Sequence, residues 1–587
     1  MAISFTESFW TENGRNLGKP DLICLRQDAA LYNILLLQLN AEIEYDNTGI
    51  WIADVELANS KFLTFIDLAI SERVELAMTP EYSCPWRTID TIINDTKLPD
   101  EGKLWVFGCE SINPTKLKTF IESHTQVTWI YDENLVNASL NTPDRFFDPV
   151  CLILKTRDND NQVVNVIIVQ FKTMFFGGAG FEWERDNLIL GEIFFTLSNA
   201  FASTKLVVLL CSDTLQNLNF NTLQNGHFFN APLLLLHIQL NQAPFQTNYK
   251  NYRNSLFAMG DKNAEKEVVC LNWARNVILK GKEDSWNQYG GSGFYLKTEK
   301  INIADERLNE NHSRGLYYTN WYDKRSHIYF LNYNEQVFLI RNTKPSQRNA
   351  DPTQQSRSGP EMLKLYQWTG DDWGNIPVAN DGFNDLCTSM EIDCGDISCI
   401  KSSKDHINIE RLIELSLGKI INNPKWYKPY NLTGLLVGDA EINQRVNFDH
   451  DPDEFTSDQR RQKITYYAYL KHSIISHPEY LPKTLQKVTL RLDLGLEKPD
   501  KFLLNLHSQE NHHKGTGVFL GIVTPTKAKA VKKNIEGLFT ANQQSKRVIV
   551  WYYHENTLKR EFDEANTPGI DENVEKTPTS YKRTRSK

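Results

Sequence analysis

The 587-residue chain lacks any apolar run approaching the roughly 18 residues that a helix needs to cross a membrane. Its opening stretch, MAISFTESFWTENGR, has neither the positive start nor the apolar core of a secretory leader. An excess of positive charge is also missing. Lys and Arg number 64 against 73 Asp and Glu, a net charge of -9, so no global field draws a phosphate backbone and nucleic acid is not expected as a partner of this chain alone. The short C-x-x-C knuckles of structural zinc sites are absent. Cys387, Cys394, Cys399 and His406 are spaced too widely to replace them, and no metal site is expected. The 9 cysteines are an odd number scattered over a long chain, unlike the dense framework of a small secreted domain, so reduced thiols are expected. There is no solenoid-length repeat and no Tyr-x-Asp-Asp pair of a polymerase. These absences leave a cytoplasmic protein with no membrane association as the expectation.

What is present is ordinary globular material, 41% hydrophobic and 23% charged, in a chain too long for one core. Tyr32 to Leu39 reads as a buried strand and Ala58 to Ile70 as a helix, followed by a second apolar run from Val74 to Met78. Further strands are expected at Leu104 to Phe107, Val163 to Phe171, Leu206 to Leu210, Val268 to Leu271, Phe294 to Leu296, His327 to Leu331 and Val337 to Ile340. Strands alternating with helices favour a layered α/β domain over residues 1–342. The stretch NTKPSQRNADPTQQSRSGP then has no large apolar residue, and 343–360 reads as a linker or long loop. A C-terminal α/β domain is expected over 361–554. Its helices fall at Ile409 to Ile420, Asp458 to Ile475 and Lys527 to Leu538, and its strands at Val488 to Leu492, Gly517 to Val523 and Arg547 to Tyr553. The polar remainder, 555–587, reads as a disordered tail.

Chemistry concentrates at three strand ends. In LVVLLCSD, Cys211 follows an aliphatic run, where a sharp turn would lift its side chain above the sheet edge and free backbone N–H groups for an oxyanion. VELAMTPE delivers Glu81, and VNVIIVQFK delivers Lys172. A carboxylate can take a thiol proton, an ammonium can favour thiolate and oxyanion, and a thiolate can attack an unsaturated carbon. Taken singly, each has an ordinary explanation: Cys211 as core, Glu81 as a loop carboxylate, Lys172 as a strand-end charge.

Pro80-Glu81, then Lys172, then Cys211-Ser212-Asp213, in that order, resemble the Glu-Lys-Cys triad of the nitrilase, or carbon–nitrogen hydrolase, superfamily. In FEWERDNLILG, Glu184 stands seven residues before Gly191, similar to the family segment that supplies a second glutamate, and EVVCLNWARN and GGSGFYLK resemble the family's closing strands. The likeness spans about residues 30–342. Ser212 and Met174 depart from it, standing where an aromatic and a histidine are common.

The resemblance implies a nitrilase-like α-β-β-α sandwich, with the C-terminal α/β domain as an addition. It also implies hydrolysis of a small-molecule amide or nitrile through a thioester, with catalytic Glu81, Lys172, Cys211 and Glu184, no cofactor, and a homo-oligomer. The chain is similar as well to nitrilase-like domains associated with bacterial anti-phage defence reverse transcriptases. That likeness implies an alternative role as effector or scaffold beside a separate defence-system protein.

Two further thiols compete for notice. Cys84, three residues after Glu81 in PEYSCPW, is expected to leave the pocket wall to Pro85 and Trp86, and Cys109-Glu110 closes another strand. His507, His512 and His513 read as a polar loop before a strand.

Overall fold

The structure is a computed structural model. It describes residues 4–12, 15–26, 31–176, 182–200, 204–215, 230–242, 247–261, 263–274, 277–280, 291–298, 311, 314–320, 326–332, 334–346 and 359–376. Beyond these it describes 412–413, 415–418, 462, 464–483, 485–486, 489–492, 504–508, 514–537 and 547–562. The Cys387, Cys394, Cys399 and His406 group, His512 and His513, most of the expected linker and the end of the expected tail lie outside the described residues. The chain is a mixed α/β protein that divides into two compact units, residues 1–318 with 324–379, and 319–323 with 380–587.

The first unit is built on two large sheets. One runs, in spatial order, Trp373–Asn375, Glu361–Trp368, Gln336–Thr343, Leu31–Gln38, Leu76–Met78, Leu104–Gly108, Pro149–Arg157, Val163–Phe171 and Thr128–Ile130. Its strands alternate faces with period two. Leu35, Leu37, Ala77, Trp105, Phe107, Ile153, Ile167 and Val169 share a core with Phe62, Phe65 and Ile66 of the helix Val55–Ser71 and with Ile89 and Ile92 of the helix Trp86–Asn94. Burying each such side chain stabilises the layer by about 1.5–3 kcal/mol. Asp54 starts the longer helix by accepting the Leu57 N–H at 3.0 Å.

The opposite face of this sheet, with Leu36, Met78, Val106, Leu152 and Ile168, is buried as well. On that face Gln170 bridges to the second sheet, donating to Val208 O at 2.9 Å and accepting from Phe195 N–H at 3.1 Å. The second sheet runs Ser4–Thr6, Ile193–Ser198, Lys205–Leu210, Leu233–Ile238, Lys266–Leu271, Gly293–Lys297, Ser326–Leu331 and Leu316–Asn320. The helix Thr247–Ala258 lies against it, with buried Tyr252 bonded to His237 of the strand Leu233–Ile238. A small sheet of Ile278–Leu279, Glu42–Asp46 and Gly49–Ile52 completes the unit.

In the second unit the described strands form one sheet, Leu490–Leu492, Leu506–Ser508, Lys514–Ile522, Val548–His554 and Thr557–Glu561. Lys514–Ile522 and Val548–His554 pair in parallel, with the helix Pro525–Glu536 between them in sequence. Pro525 opens that helix, and the Thr524 side chain accepts the Lys527 N–H.

Two boundaries differ from those read in the sequence. Glu361–Trp368 does not open the second region. It pairs antiparallel with Gln336–Thr343 and covers what would be an open edge of the first unit's sheet. The tail does not begin at 555, because Thr557–Glu561 returns on Val548–His554 through a two-residue loop. Glu555 and Asn556 take φ of +50° and +57°, the two left-handed residues that a tight hairpin of matching twist requires. No helix among the described residues is long and apolar enough to cross a membrane.

Candidate active site

Glu81 reaches the site because the strand Leu76–Met78 ends in a loop clamped to its neighbour. Thr79 N–H donates to Val106 O at 3.0 Å, and Gly108 N–H donates to Thr79 Oγ1 at 3.2 Å. Gly108 is required by this approach, since a Cβ there would run into Pro80 O and lie 2.7 Å from Glu81 Cα. Tyr82 turns the chain with φ +58°, and Trp273 Nε1–H fastens Glu81 O at 2.8 Å.

Lys172 follows Val163–Phe171, its side chain is 2% exposed, and its Nζ is surrounded by carboxyl groups. It is 3.0 Å from Glu81 Oε1 and 3.3 Å from Asp148 Oδ2, and it donates to Glu184 Oε1. Glu184, on the short helix Glu182–Asn187, also takes Phe176 N–H at 3.1 Å and Tyr82 O–H at 3.4 Å. Burial alone would pull the Lys172 ammonium down, but the charges of Glu184 and Glu81, with Tyr82 and Asp148, outweigh it and hold Lys172 protonated well above its ordinary value. Glu81 is raised, chiefly by burial, against the opposing pull of Lys172. Gly191, whose N–H donates to Lys172 O at 2.8 Å, has no room for a Cβ beside Phe171 O, 2.7 Å away.

Cys211 begins the turn after Lys205–Leu210 with φ +32°, a left-handed conformation that costs a non-glycine residue of order 1–3 kcal/mol unless its surroundings enforce it. The enforcement is visible. Asp213 accepts Leu210 N–H at 2.8 Å with one oxygen, and Thr173 N–H at 2.7 Å and Thr173 O–H at 2.8 Å with the other. Burial pushes the Asp213 carboxyl up to about 7, with these donors working against it. The two departures from the family pattern meet here, as Ser212 O–H donates to Met174 O at 2.5 Å. The turn holding Cys211 is therefore stitched to the residues just after Lys172.

Glu81 and Cys211 are joined through one residue just past the strand Leu233–Ile238 of the second sheet. Leu240 N–H donates to Glu81 Oε2 at 2.6 Å, and Cys211 Sγ lies 4.0 Å from Leu240 O. Glu81, Lys172 and Glu184 thus meet directly, and Cys211 is held against the same edge. Cys84 offers no rival: it is fully buried beside Cys109, with its thiol raised by burial, the state of an inert core cysteine. Its neighbour Trp86 donates through Nε1 to Glu110 O at 3.0 Å. His507, in the second unit, is tied to Leu504 O at 2.9 Å.

Two residues of the arrangement escaped the sequence reading. Asp148, in FFDPV, reads as a turn residue before proline, and only the sheet order places it beside Lys172. His237, in LLLLHIQL, reads as a core histidine, yet its Nε2 lies 3.0 Å from Cys211 O. Tyr252 O–H at 2.8 Å and the Gln239 amide at 2.9 Å both meet His237 Nδ1, which assigns the proton to Nε2 and makes the ring the donor to Cys211 O.

No family model matches the chain, and no curated protein matches it. Among solved structures, it is similar to a mutant of the amidase from Nesterenkonia sp. AN1 that shows covalent addition of the acetamide moiety of fluoroacetamide at the active site cysteine. That match has 13% identity and a TM-score of 0.25, over 45% of this chain and 82% of that one. A second amidase structure from Nesterenkonia sp. gives 13% identity and a TM-score of 0.24 over the same shares. A glutamine-dependent NAD(+) synthetase from Cytophaga hutchinsonii gives 10% identity and a TM-score of 0.25, over 74% of this chain and 58% of that one. Likenesses at this level assign neither fold nor activity to this chain.

Proposed function

We propose that the chain is a thiol hydrolase of a carbon–nitrogen bond, an amide or a nitrile, built on a nitrilase-like α-β-β-α sandwich with the second unit appended. One observation carries this reading: a buried ammonium, Lys172, bonded among Glu81, Glu184 and Asp148 at the edge where Cys211 is held left-handed. A fold has little use for such a costly cluster unless it does chemistry, since buried ion pairs rarely add net stability.

For an amide, Glu81 takes the Cys211 proton as the sulfur attacks the carbonyl carbon, and Lys172 stabilises the negative charge that grows on oxygen. The protonated Glu81 then gives its proton to the departing nitrogen as the C–N bond breaks, leaving a thioester. Water, deprotonated by Glu81, attacks the thioester carbon. The acid leaves, and the proton returns to sulfur. Glu184, with Tyr82 and Phe176 N–H, fixes the direction of Lys172 Nζ.

The test is a small-molecule extract incubated with the purified protein or with Cys211→Ala and compared by mass spectrometry. The expected result is loss of one compound, and gain of its hydrolysis product, with the intact protein alone. Identical extracts would count against the hydrolase reading.

A further inference from the structure

The ionic cluster contains one carboxyl more than the proposed chemistry uses. Asp148 is fully buried, its carbonyl accepts Lys172 N–H at 2.9 Å, and its Oδ2 lies 3.3 Å from Lys172 Nζ. Three carboxyl groups therefore crowd one ammonium at sites no more than 3% exposed. Were all three ionised, two negative charges would stand uncompensated away from water, each at a cost of several kcal/mol. The cluster must hold at least one proton.

Hydrogen bonding assigns that proton. Glu184 is supplied by three donors, and Glu81 Oε2 is supplied by Leu240 N–H. By contrast, Glu81 Oε1 and both side-chain oxygens of Asp148 have no hydrogen-bond donor among the described residues, and Lys172 Nζ meets Glu81 Oε1 and Asp148 Oδ2 as ion pairs. Two buried acceptors facing each other become a bonded pair when one is an acid. Glu81 Oε1 and Asp148 Oδ2 stand 3.0 and 3.3 Å from the same Lys172 Nζ, which makes the two buried carboxyls neighbours.

We propose that Asp148 is a positioning residue for Glu81: it is kept as the neutral acid, and its O–H donates to the Glu81 carboxylate and holds it ionised and aimed to receive the Cys211 proton. The assignment rests on the hydrolase reading above. The groups around Asp148 agree with it. Glu81 and Tyr82 face it from the loop after Leu76–Met78, Glu184 from the helix Glu182–Asn187, and among the described residues Lys172 brings the positive charge. Burial first, and the Glu81 charge second, push the Asp148 carboxyl well above its ordinary value. A carboxyl pair of this kind titrates as a unit, and under this assignment the proton that remains after the first step is on Asp148.

The experiment follows the alkylation rate of Cys211 by iodoacetamide from pH 5 to 9, resolved from the other thiols by peptide mass spectrometry, so no substrate need be known. It compares the full-length chain with Asp148→Asn and Asp148→Ala. Asparagine keeps a neutral donor, so its lower inflection should coincide with that of the intact protein. Alanine removes the donor, so the inflection should rise by about one pH unit and the rate at pH 6 should fall about tenfold. An inflection lowered by a unit or more in Asp148→Asn would overturn the proposal, because it would mean that the native residue is charged and repels Glu81. This arm stands even if Asp148→Ala fails to fold. Unchanged profiles in both variants would overturn it too while leaving the hydrolase reading intact, whereas a Cys211 unreactive at every pH would sink both.

Discussion

The two large sheets of the first unit meet at the candidate site but contribute in different ways. The nine-stranded sheet contributes side-chain charge, with Glu81, Asp148 and Lys172 at the ends of three of its strands and Lys172 paired with both carboxyls. The eight-stranded sheet contributes backbone conformation: Cys211 at φ +32°, its carbonyl on His237, and Leu240 N–H on Glu81. One half of the site is therefore governed by charge balance and the other by enforced geometry. Substitutions on the first side should act through electrostatics and pH, and those on the second through the placement of sulfur.

The largest effect is expected at Lys172. Lys172→Met keeps the length of the side chain and removes the cation that, among the described residues, pairs with three buried carboxyl groups, an uncompensated arrangement that costs about 3–5 kcal/mol when one partner of a buried pair is lost. Urea denaturation should show that loss. The deficit should grow as pH rises, because the carboxyls left behind must ionise without a partner. A variant as stable as the intact protein would mean that the cluster is solvated, and the contrast between the sheets would lapse.

Gly108→Ala probes the join with a smaller perturbation. The added methyl meets the Pro80 carbonyl and Glu81 Cα, backbone atoms that cannot swing away. Overpacking of this sort costs about 1–3 kcal/mol. A displacement of Glu81 by about 1 Å should lower turnover by about 10²-fold, since proton transfer depends on reach. Cys211 should keep its left-handed turn, because that turn is held by Asp213, Thr173 and His237 and not by the Glu81 loop. Circular dichroism and turnover together separate misplacement of Glu81 from general unfolding.

The charged half of this site was more legible in the sequence than the geometric half, for a physical reason. A strand buried on both faces is a continuous apolar run, so an ionisable residue at its end stands out, and Glu81 and Lys172 were read that way; Cys211, on the geometric side, follows the same kind of run, but its left-handed turn was not legible. Asp148 has no such contrast, because it precedes its strand next to a proline, and its importance comes from the placement of Pro149–Arg157 between Leu104–Gly108 and Val163–Phe171. The strand Glu361–Trp368 was assigned to the wrong side of a boundary because it follows a long polar stretch, although its partner, Gln336–Thr343, is far nearer in space than that stretch suggests. The hairpin at Glu555–Asn556 was missed because glutamate is an unusual residue for a left-handed turn.

His237 gives the smallest effect and the sharpest test of the geometric half. Burial depresses its imidazole from the ordinary 6.5 to about 3, with a bond to Cys211 O opposing the shift and Arg253 adding to it. In the folded chain the ring is therefore neutral and donates through Nε2, whereas the unfolded chain takes up a proton as pH falls through about 6.5. Above that pH both states are neutral and His237 adds no pH dependence. Between about 6.5 and 3 the unfolded state binds more protons, so stability is lost as pH falls, at a limiting slope of roughly 1.4 kcal/mol per pH unit. His237→Gln removes the titration, and the difference in urea midpoint between variant and intact protein should be constant near neutral pH and move in the variant's favour below about pH 6. Parallel profiles would mean that His237 takes up a proton in the fold as readily as in the unfolded chain. Below about pH 6.5 Cys211 O would then be held by a cation, and the eight-stranded sheet would share the electrostatic character of its neighbour.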